Sequence, residues 1–452
     1  MRALRRTLLL ALALVAAGCS ARPAPPRADV RPSSVGTTTL PPVPIPASAG
    51  SAPASAAPLP AAAPTATTAA GPEPGPSDAA RGNELAARLY REVGKTAGGN
   101  VFLSPPSIRL ALGMAYVGAE GETASEMASA LGFEPDRAAV AANAKRELEG
   151  WSKIGGGELE LHVVSRLWGD AGTTFVPGFV ALNREGWGAG LESLDFRNAP
   201  EPTRKSINGW VGEQTKGRIG ELLPVGSVTR DTRLLITNAV YFDATWRYPF
   251  EARTTAPGPF FVGGKAPARD LPLMHQRHAF AFAEADGAKL VLLPYGKSPL
   301  GLVVVLPDAR DGLGALEASL SAERFAAWGR SLGERTAFVD LALPKFQLRF
   351  GGSMRPVLEA LGMKRAFSNA AELGGVAGGA DLKITDVIHR TFVRVDEHGT
   401  EAAAATGVPM GLKSMPPPPT LMLIDHPFLY YLWDTSAGRV LFVGRVVDPG
   451  AK

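Results

Sequence analysis

The sequence is short of the residues that most reactive centres need. Its 452 residues include one cysteine and six histidines. The cysteine, Cys19, lies at the end of an N-terminal leader, so the mature fold can hold no internal disulfide, thiolate metal cluster or catalytic thiol. No two histidines have the H-E-x-x-H spacing that places two ligands on one helix face. The sequence therefore excludes cysteine proteases and zinc fingers, argues against a metalloprotease, and predicts neither metal nor cofactor.

An excess of charge of one sign is also nearly absent. The 47 Lys and Arg residues and 43 Asp and Glu residues give a net charge of +4, which falls to +1 without Arg2, Arg5 and Arg6 of the leader. Binding to nucleic acid depends on a concentrated positive field, so this balance gives no support for a nucleic-acid partner. With 45% hydrophobic residues the chain can bury a sizeable core.

The N-terminus, residues 1–18, has the pattern of an export signal. Three arginines precede an apolar run at 8–17, which is too short for a permanent membrane-spanning helix. The end of the leader, AAGC at 16–19, resembles a bacterial lipoprotein cleavage box, although Ala16 stands where leucine is usual. We expect lipidation of Cys19 and an exported, membrane-anchored or extracellular protein. The alternative is an ordinary signal cleavage that leaves a free thiol.

Residues 19–80 are predicted to be a disordered tether. The stretch 20–79 holds 15 of the 39 prolines, mixed with Ala, Ser and Thr, and has almost no large apolar side chain. Such a composition cannot form a core. A tether of roughly 60 residues would reach about 45 Å as a coil and up to about 190 Å in polyproline geometry, so it can serve as a spacer.

Residues 81–452 are predicted to be one domain with an α+β fold and large mixed β-sheets. Helical periodicity is found at 83–93, 106–117 and 122–131. Strand-like runs are found at 162–168, 234–246, 290–294, 302–306, 338–343 and 389–395, and a hairpin at 428–446. Helices come mainly early and strands mainly late, and there is no internal repeat.

Six stretches together resemble one known family. They are NVFLSPPS at 100–107, TNAVYFDATW at 237–246, DVIH at 386–389, EHGTEAAAAT at 397–406, DHPF at 425–428 and FVGRVVDP at 442–449. In this order and spacing they resemble the serpins, a superfamily of serine protease inhibitors, over nearly the whole domain. The resemblance implies a serpin-like single domain, with helices around the sheets and an exposed reactive loop. It also implies an inhibitor rather than an enzyme.

The stretch 397–419 resembles a serpin reactive loop, the bait presented to a protease. In the family the residue before the cleaved bond lies 14 places after the hinge glycine, which from Gly399 leads to Lys413 and a bait bond Lys413–Ser414. A lysine there suits trypsin-like proteases, whose specificity pocket ends in a carboxylate. If the loop is cut one bond earlier, Leu412 would select a chymotrypsin-like enzyme instead.

The resemblance implies that the cleaved loop inserts into the central sheet while the protease is still bound as an acyl-enzyme. The predicted hinge comprises Glu397, Gly399, Thr400, Glu401, Ala402, Ala403, Ala404, Ala405 and Thr406. Side chains alternate in a strand. One face is uncharged and holds Thr400, Ala402, Ala404, Thr406, Val408, Met410 and Leu412. The other face holds both charges and comprises Glu401, Ala403, Ala405, Gly407, Pro409, Gly411 and Lys413. An inward charge would oppose insertion.

Proline at 409 departs from this pattern. It lacks the N–H that a central strand donates, so late insertion is expected to be slower.

Two alternatives to an inhibitor remain. One is a non-inhibitory serpin that acts as a binding module or protease substrate, and the other is a hydrolase that uses Ser and His. No G-x-S-x-G motif surrounds Ser104 or Ser107, so the hydrolase has no support at either serine.

The resemblance also implies two clusters that control insertion. Ser104, Ser107, Asn238 and His389 match a hydrogen-bonded shutter beneath the central sheet, and Ser104 before Pro105 also has the pattern of a helix cap. Trp246 and Lys345 match the breach, where insertion begins, and Lys345 is the expected partner of Glu397.

The expected partner is a trypsin-like serine protease in a covalent acyl complex with a monomer. We expect no nucleic acid, and contact with a membrane only through Cys19. The predicted helix within 119–132 carries three glutamates and no basic residue, so glycosaminoglycan activation has no support there.

Overall fold

A computed structural model describes residues 78–451 except 155–158, 189–190, 379–381 and 401–417. Its α-helices are α1 (Asp78–Thr96), α2 (Pro105–Tyr116), α3 (Gly121–Leu131), α4 (Arg137–Ile154), α5 (Pro177–Trp187), α6 (Pro200–Gln214), α7 (Leu313–Ala318), α8 (Ala322–Glu334) and α9 (Arg355–Ala360). Short 3₁₀ turns lie at Ala252–Thr254, Val262–Gly264 and Arg365–Phe367. The three predicted helices are confirmed as α1, α2 and α3. Helix α1 begins at Asp78, three residues before residue 81, and an acidic first turn suits a helix N-terminus.

The strands form two sheets. They are β1 (Val101–Leu103), β2 (Leu159–Asp170), β3 (Glu192–Leu194), β4 (Leu234–Thr245), β5 (Ala256–Phe260), β6 (Arg269–Ala285), β7 (Ala288–Pro294), β8 (Leu300–Pro307), β9 (Thr336–Pro344), β10 (Phe346–Ser353), β11 (Ile384–Val395), β12 (Gly399–Thr400), β13 (Thr420–Leu423), β14 (Phe428–Asp434) and β15 (Arg439–Val446). The six-stranded sheet, here called the central sheet, has the order β10-β11-β12-β4-β2-β3. The other has nine strands in the order β1-β15-β14-β8-β7-β6-β9-β13, with β5 paired to β6.

Each predicted strand and the predicted hairpin are present, and the α+β expectation is confirmed. At the tip of the hairpin, Gly438 adopts a φ of 63° and its N–H donates to the carbonyl of Asp434 at 2.9 Å. The 17-residue strand β6 was not predicted. Its side chains are a mixture of exposed and buried with no continuous apolar run, so it lacks the signal that identified β4 and β8.

Strands β4 and β11 form the middle of the central sheet and run parallel. Nearly all of β4 is buried, as expected for a strand covered on both faces. One face packs on the main core. On the other face, Ile207 and Val211 of α6 share an apolar cluster with Tyr241 of β4 and Phe392 of β11. In the described part of the chain, no helix combines the length and hydropathy needed to cross a membrane.

Candidate functional site: the loop hinge and the strands beneath it

The chain turns back into the central sheet immediately after β11. Strand β11 ends at Val395, and the turn that follows is closed by a hydrogen bond from the Asp396 N–H to the Gly399 carbonyl at 2.9 Å. Strand β12 then lies between β11 and β4, with Thr400 opposite Val395 on one side and Ala244 on the other. Gly399 and Thr400, near the start of the predicted reactive loop, are thus already paired as a short antiparallel strand.

Below β12, the two central strands pair directly with each other. Phe392 of β11 lies opposite Tyr241 of β4, and the parallel pairing continues through His389 and Asn238. Val395 and Ala244, which pair with Thr400 from its two sides, are the residues that this register would place opposite each other. The central sheet therefore has β12 between β4 and β11 at the Val395 end of β11, and β4 and β11 pair directly with each other up to Phe392.

Gly399 is required where β12 enters the sheet. Its φ is +157°, and a Cβ atom there would press against the backbone carbonyl oxygen of Ala244. L-residues with a side chain rarely adopt such a backbone conformation. Glycine at this position therefore allows the chain to approach β4 closely.

An ion pair holds the turn beside the hinge. Lys345 Nζ lies 2.7 Å from Glu397 Oε2, and Thr255 Oγ1 donates to Glu397 Oε1 at 2.7 Å. Only 9% of the Glu397 side chain is exposed. Burial acts to raise the pKa of the Glu397 carboxyl, but the hydrogen bonds from Lys345 and Thr255 outweigh it and lower that pKa. The carboxylate is therefore charged and partnered at neutral pH.

Trp246, one of the two predicted breach residues, lies next to this turn. Its Nε1–H donates to the Asp396 carbonyl at 2.9 Å, and its backbone N–H donates to the His398 carbonyl at 2.9 Å. The indole stacks on the ring of Tyr295 with centroids 4.5 Å apart. The Tyr295 hydroxyl in turn lies 2.6 Å from Thr400 Oγ1. Sequence analysis did not single out Tyr295, since its contacts involve residues far away in the chain.

The four predicted shutter residues lie together and are buried, with Asn238 on β4 and His389 on β11 facing Ser104 and Ser107 at the start of α2. Asn238 Oδ1 accepts hydrogen bonds from Ser107 Oγ at 2.9 Å and from His389 Nδ1 at 2.5 Å. The Ser104 backbone N–H donates to His389 Nε2 at 3.3 Å. Asn238 Nδ2 donates to Ser165 Oγ at 2.8 Å. Ser165, on β2, is a member that sequence analysis missed.

The hydrogen bonds of His389 fit a neutral ring. Burial lowers the pKa of His389 to about 3. With its hydrogen on Nδ1, the neutral ring donates to Asn238 and accepts from the N–H of Ser104. Protonation of Nε2 would make it a donor that faces the Ser104 N–H, which is also a donor, and the hydrogen bond between them would be lost. The cluster therefore holds the two central strands together without a charge.

Ser104 departs from the expectation in its side chain. It occupies the position before α2, but its hydroxyl makes no capping hydrogen bond. Instead, Ser104 Oγ donates to the Leu441 carbonyl of β15 at 2.9 Å. The prediction that Ser104 caps α2 is right about its position and wrong about its hydroxyl, because tertiary packing turns the hydroxyl toward β15. Among the described residues, neither Ser104 Oγ nor Ser107 Oγ is hydrogen-bonded to the His389 ring, which a serine nucleophile and its base would require.

Several predicted residues lie outside the described residues. They are Cys19, the hinge residues at 401–406, and Lys413 and Ser414 of the bait bond. Within the described ranges, no group of three or more His, Cys, Asp and Glu side chains could hold a metal ion.

Comparisons with known proteins agree on one family. A family model described as "Serpin (serine protease inhibitor)" matches residues 80–449. The leukocyte elastase inhibitor of Bos taurus is 36% identical over 357 residues, which are 78% of this chain and 93% of that protein. The crystal structure of Serpin48 from Tenebrio molitor matches with a TM-score of 0.71 and 32% identity, covering 81% of this chain and 97% of that one. Human thyroxine-binding globulin matches with a TM-score of 0.73 and 26% identity, covering 82% and 98%.

Proposed function

The chain belongs to the serpin family, and from that premise we propose that it inhibits a trypsin-like serine protease as a suicide substrate. The protease serine attacks the carbonyl carbon of Lys413, the amine of Ser414 leaves, and Lys413 remains joined to the protease as an ester. The freed loop then enters the central sheet as a new strand. This insertion carries the protease away before water can hydrolyse the ester.

The observation that carries this proposal is the position of β12. Thr400 already lies between β4 and β11, and the direct pairs below it continue the same register. If this strand entered further, the single ladder of hydrogen bonds between β4 and β11 would be replaced by two ladders, one from the new strand to β4 and one to β11. Each added hydrogen bond contributes about 0.5–1.5 kcal/mol.

The side-chain alternation of the loop supports the same direction of insertion. The Thr400 side chain is buried and faces Tyr295 in the core. If a strand continued from Thr400, alternation would place the uncharged set beginning with Ala402 toward the core. Glu401 and Lys413 would face the opposite side. Burial of Val408, Met410 and Leu412 would contribute about 1.5–3 kcal/mol each.

The test is to mix the protein with trypsin at graded molar ratios and run a denaturing gel. We expect an adduct with the summed mass of protease and cleaved inhibitor, and its loss in Lys413→Ala. Lys153→Ala, an exposed lysine at the end of α4, is the matched control and should form the adduct normally. Mapping of the released peptide distinguishes a cut after Lys413 from one after Leu412.

Other outcomes would favour the alternatives. Clean cleavage without an adduct would support a non-inhibitory serpin that acts as a binding module or substrate, and would contradict the trapping mechanism. Turnover of an added ester in the absence of trypsin would support a hydrolase.

We also propose that the protein is an exported monomer, anchored through a lipid on Cys19. The arginine-rich leader, the apolar run and the AAGC box support this. Cys19→Ser should release the protein from the membrane fraction, whereas Ser20→Ala should not. A Cys19→Ser variant that stays with the membranes would rule out the lipid anchor.

A further inference from the structure

Two buried hydroxyl groups meet where the loop enters the central sheet. Tyr295 lies in the turn after β7, and its hydroxyl oxygen is 2.6 Å from Oγ1 of Thr400. Tyr295 is 1% exposed and Thr400 0%. Within the described residues, this is the one hydrogen bond made by either side chain. Each hydroxyl therefore depends on the other.

The ring of Tyr295 is held firmly on several sides. It stacks on Trp246 with an interplanar angle of 12° and meets the ring of Phe242 edge-on at 5.1 Å. Its backbone N–H donates to the Leu300 carbonyl at 3.0 Å. A ring packed in this way presents its hydroxyl at a fixed point. A residue that enters the sheet here therefore has to place a hydrogen-bonding group within reach of that hydroxyl, as Thr400 does.

The position of Thr400 decides which face of the entering strand points toward the core. Side chains alternate with a period of two, so a slip of one residue would exchange the two faces of the whole strand. With Thr400 in its observed place, a strand that continued from it would turn the uncharged face of the loop inward. A slip of one residue would turn Glu401 toward the core instead, and an unpartnered carboxylate is costly there.

We propose that Tyr295 is a positioning residue for loop insertion, and that its hydroxyl holds Thr400 in register between β4 and β11. This inference rests on the proposed function. Tyr295 contacts neither the bait bond nor the protease. It acts through Thr400, by keeping the first pairs of the new strand formed before the protease cuts the loop.

Removal of the Tyr295 hydroxyl would leave the Thr400 hydroxyl buried without a partner. A buried hydroxyl in that state is unfavourable, so the end of β12 would leave the sheet more often. After cleavage, the loop would then have to re-form its first pairs before it could insert. Hydrolysis of the ester competes during that delay, and more of the inhibitor is released as cleaved product.

The measurement is the partition ratio, the amount of inhibitor cleaved and released per adduct formed with trypsin. We expect Tyr295→Phe and Thr400→Val each to raise this ratio by about tenfold, as the loss of one buried hydroxyl partner implies. The rate constant for loop cleavage should not change, since the protease recognises Lys413 before insertion. Thr400→Ser keeps the hydroxyl and should restore a low ratio, unlike Thr400→Val.

Two further variants separate this role from a general loss of stability. The double variant with Tyr295→Phe and Thr400→Val leaves neither hydroxyl unpaired, so its effect should be no larger than that of either single change. Tyr248→Phe removes the hydroxyl of a half-buried tyrosine near the same turn and should leave the partition ratio unchanged. If Tyr295 had a purely structural role, Tyr295→Phe would lower the thermal midpoint, but the partition ratios of the single, double and control variants would not follow this pattern.

A second readout needs no protease. Amide hydrogen exchange in a peptide that covers residues 396–400 of the intact protein should accelerate in Tyr295→Phe and not in Tyr248→Phe. If wild-type protein forms no adduct but this acceleration is seen, the proposed function fails while the positioning contact stands. If wild-type protein forms the adduct and Tyr295→Phe changes neither the partition ratio nor the exchange, the positioning role is overturned.

Discussion

His389 and Asn238 lie directly opposite each other on the two central strands and are joined by a hydrogen bond of 2.5 Å between Nδ1 and Oδ1. A strand that enters between β4 and β11 has to break this hydrogen bond. The same residues connect to Ser104 and Ser107 beneath the sheet. The shutter cluster therefore stabilises the closed part of the sheet, and its strength can be tested through the protonation of His389.

We expect the stability of the intact protein to fall as the pH falls from about 6.5 to about 3. An unfolded chain binds a proton at His389 near pH 6.5, whereas burial delays protonation in the folded protein until about pH 3. Between these values the unfolded state binds more protons, so lowering the pH favours unfolding. Thermal midpoints measured across this range check the expectation.

The control for this experiment is a second histidine. His389→Gln should lower the thermal midpoint near neutral pH and flatten its pH dependence below 6.5. His275→Gln, a half-buried histidine on β6, should keep the wild-type slope. Parallel pH profiles for His389→Gln and wild type would show that His389 does not cause the acid sensitivity.

The ion pair at the loop base should stabilise the folded protein measurably. Lys345→Met removes the cation but keeps a long side chain, and it leaves the Glu397 carboxylate with Thr255 as its remaining side-chain partner. We expect a loss of about 1–3 kcal/mol in the free energy of unfolding, measured by denaturant titration. Because the pKa of Glu397 is lowered, this stabilisation should persist at neutral pH and be lost only as the pH falls below the ordinary range of a glutamate.

An exposed ion pair provides the comparison. Arg253 and Glu251 pair at 2.6 Å, with 84% and 59% of their side chains exposed. Arg253→Met should leave the free energy of unfolding nearly unchanged, since solvent screens such pairs. Equal effects for Lys345→Met and Arg253→Met would mean that the pair at the loop base has no special role.

Gly399→Ala should destabilise the hinge. The added methyl group would press on the Ala244 carbonyl, and the backbone conformation is one that alanine rarely adopts. Strain of this kind costs about 1–3 kcal/mol, and we expect the free energy of unfolding to fall by that amount. Gly333→Ala lies in α8, where a Cβ meets nothing within 4 Å, and should stabilise by about 0.5–1 kcal/mol. If both changes have the same effect, the close approach to β4 is not what requires glycine.

Thr400→Arg should convert the inhibitor to a substrate. Thr400 is fully buried, so a guanidinium at this position would have to enter the core without a partner. Trypsin should then cleave the loop without forming the adduct. Cleavage should also raise the thermal midpoint of the wild-type protein, because the inserted loop adds a strand, but should fail to raise that of Thr400→Arg.

A charge change at the next residue is the matched control. In an inserted strand, side-chain alternation would put Glu401 on the opposite face from Thr400, so Glu401→Arg should still insert and form the adduct. If Thr400→Arg forms the adduct as efficiently as wild type, insertion of the loop with Thr400 toward the core is ruled out.

Local signals predicted many of the secondary-structure elements but not the contacts between them. The apolar run of β4 and the periodicity of α1 to α3 were sufficient, because burial on a strand or helix leaves a regular pattern in the sequence. Strand β6 was missed because it is partly exposed along its length. The motifs around Ser104, Asn238 and His389 indicated a shutter cluster through resemblance, whereas Ser165 had no such signal.

By itself, the sequence determined the family, the α+β fold class and the alternation of charge in the loop, because these depend on residue types at short, regular spacings. The tertiary structure alone decided that Tyr295 meets Thr400, since these residues lie 105 positions apart. It also decided that the Ser104 hydroxyl turns to β15 rather than capping α2. Such hydrogen bonds form only when separate elements pack together, because a side chain's partner is then set by what lies across the core and not by its neighbours in the chain.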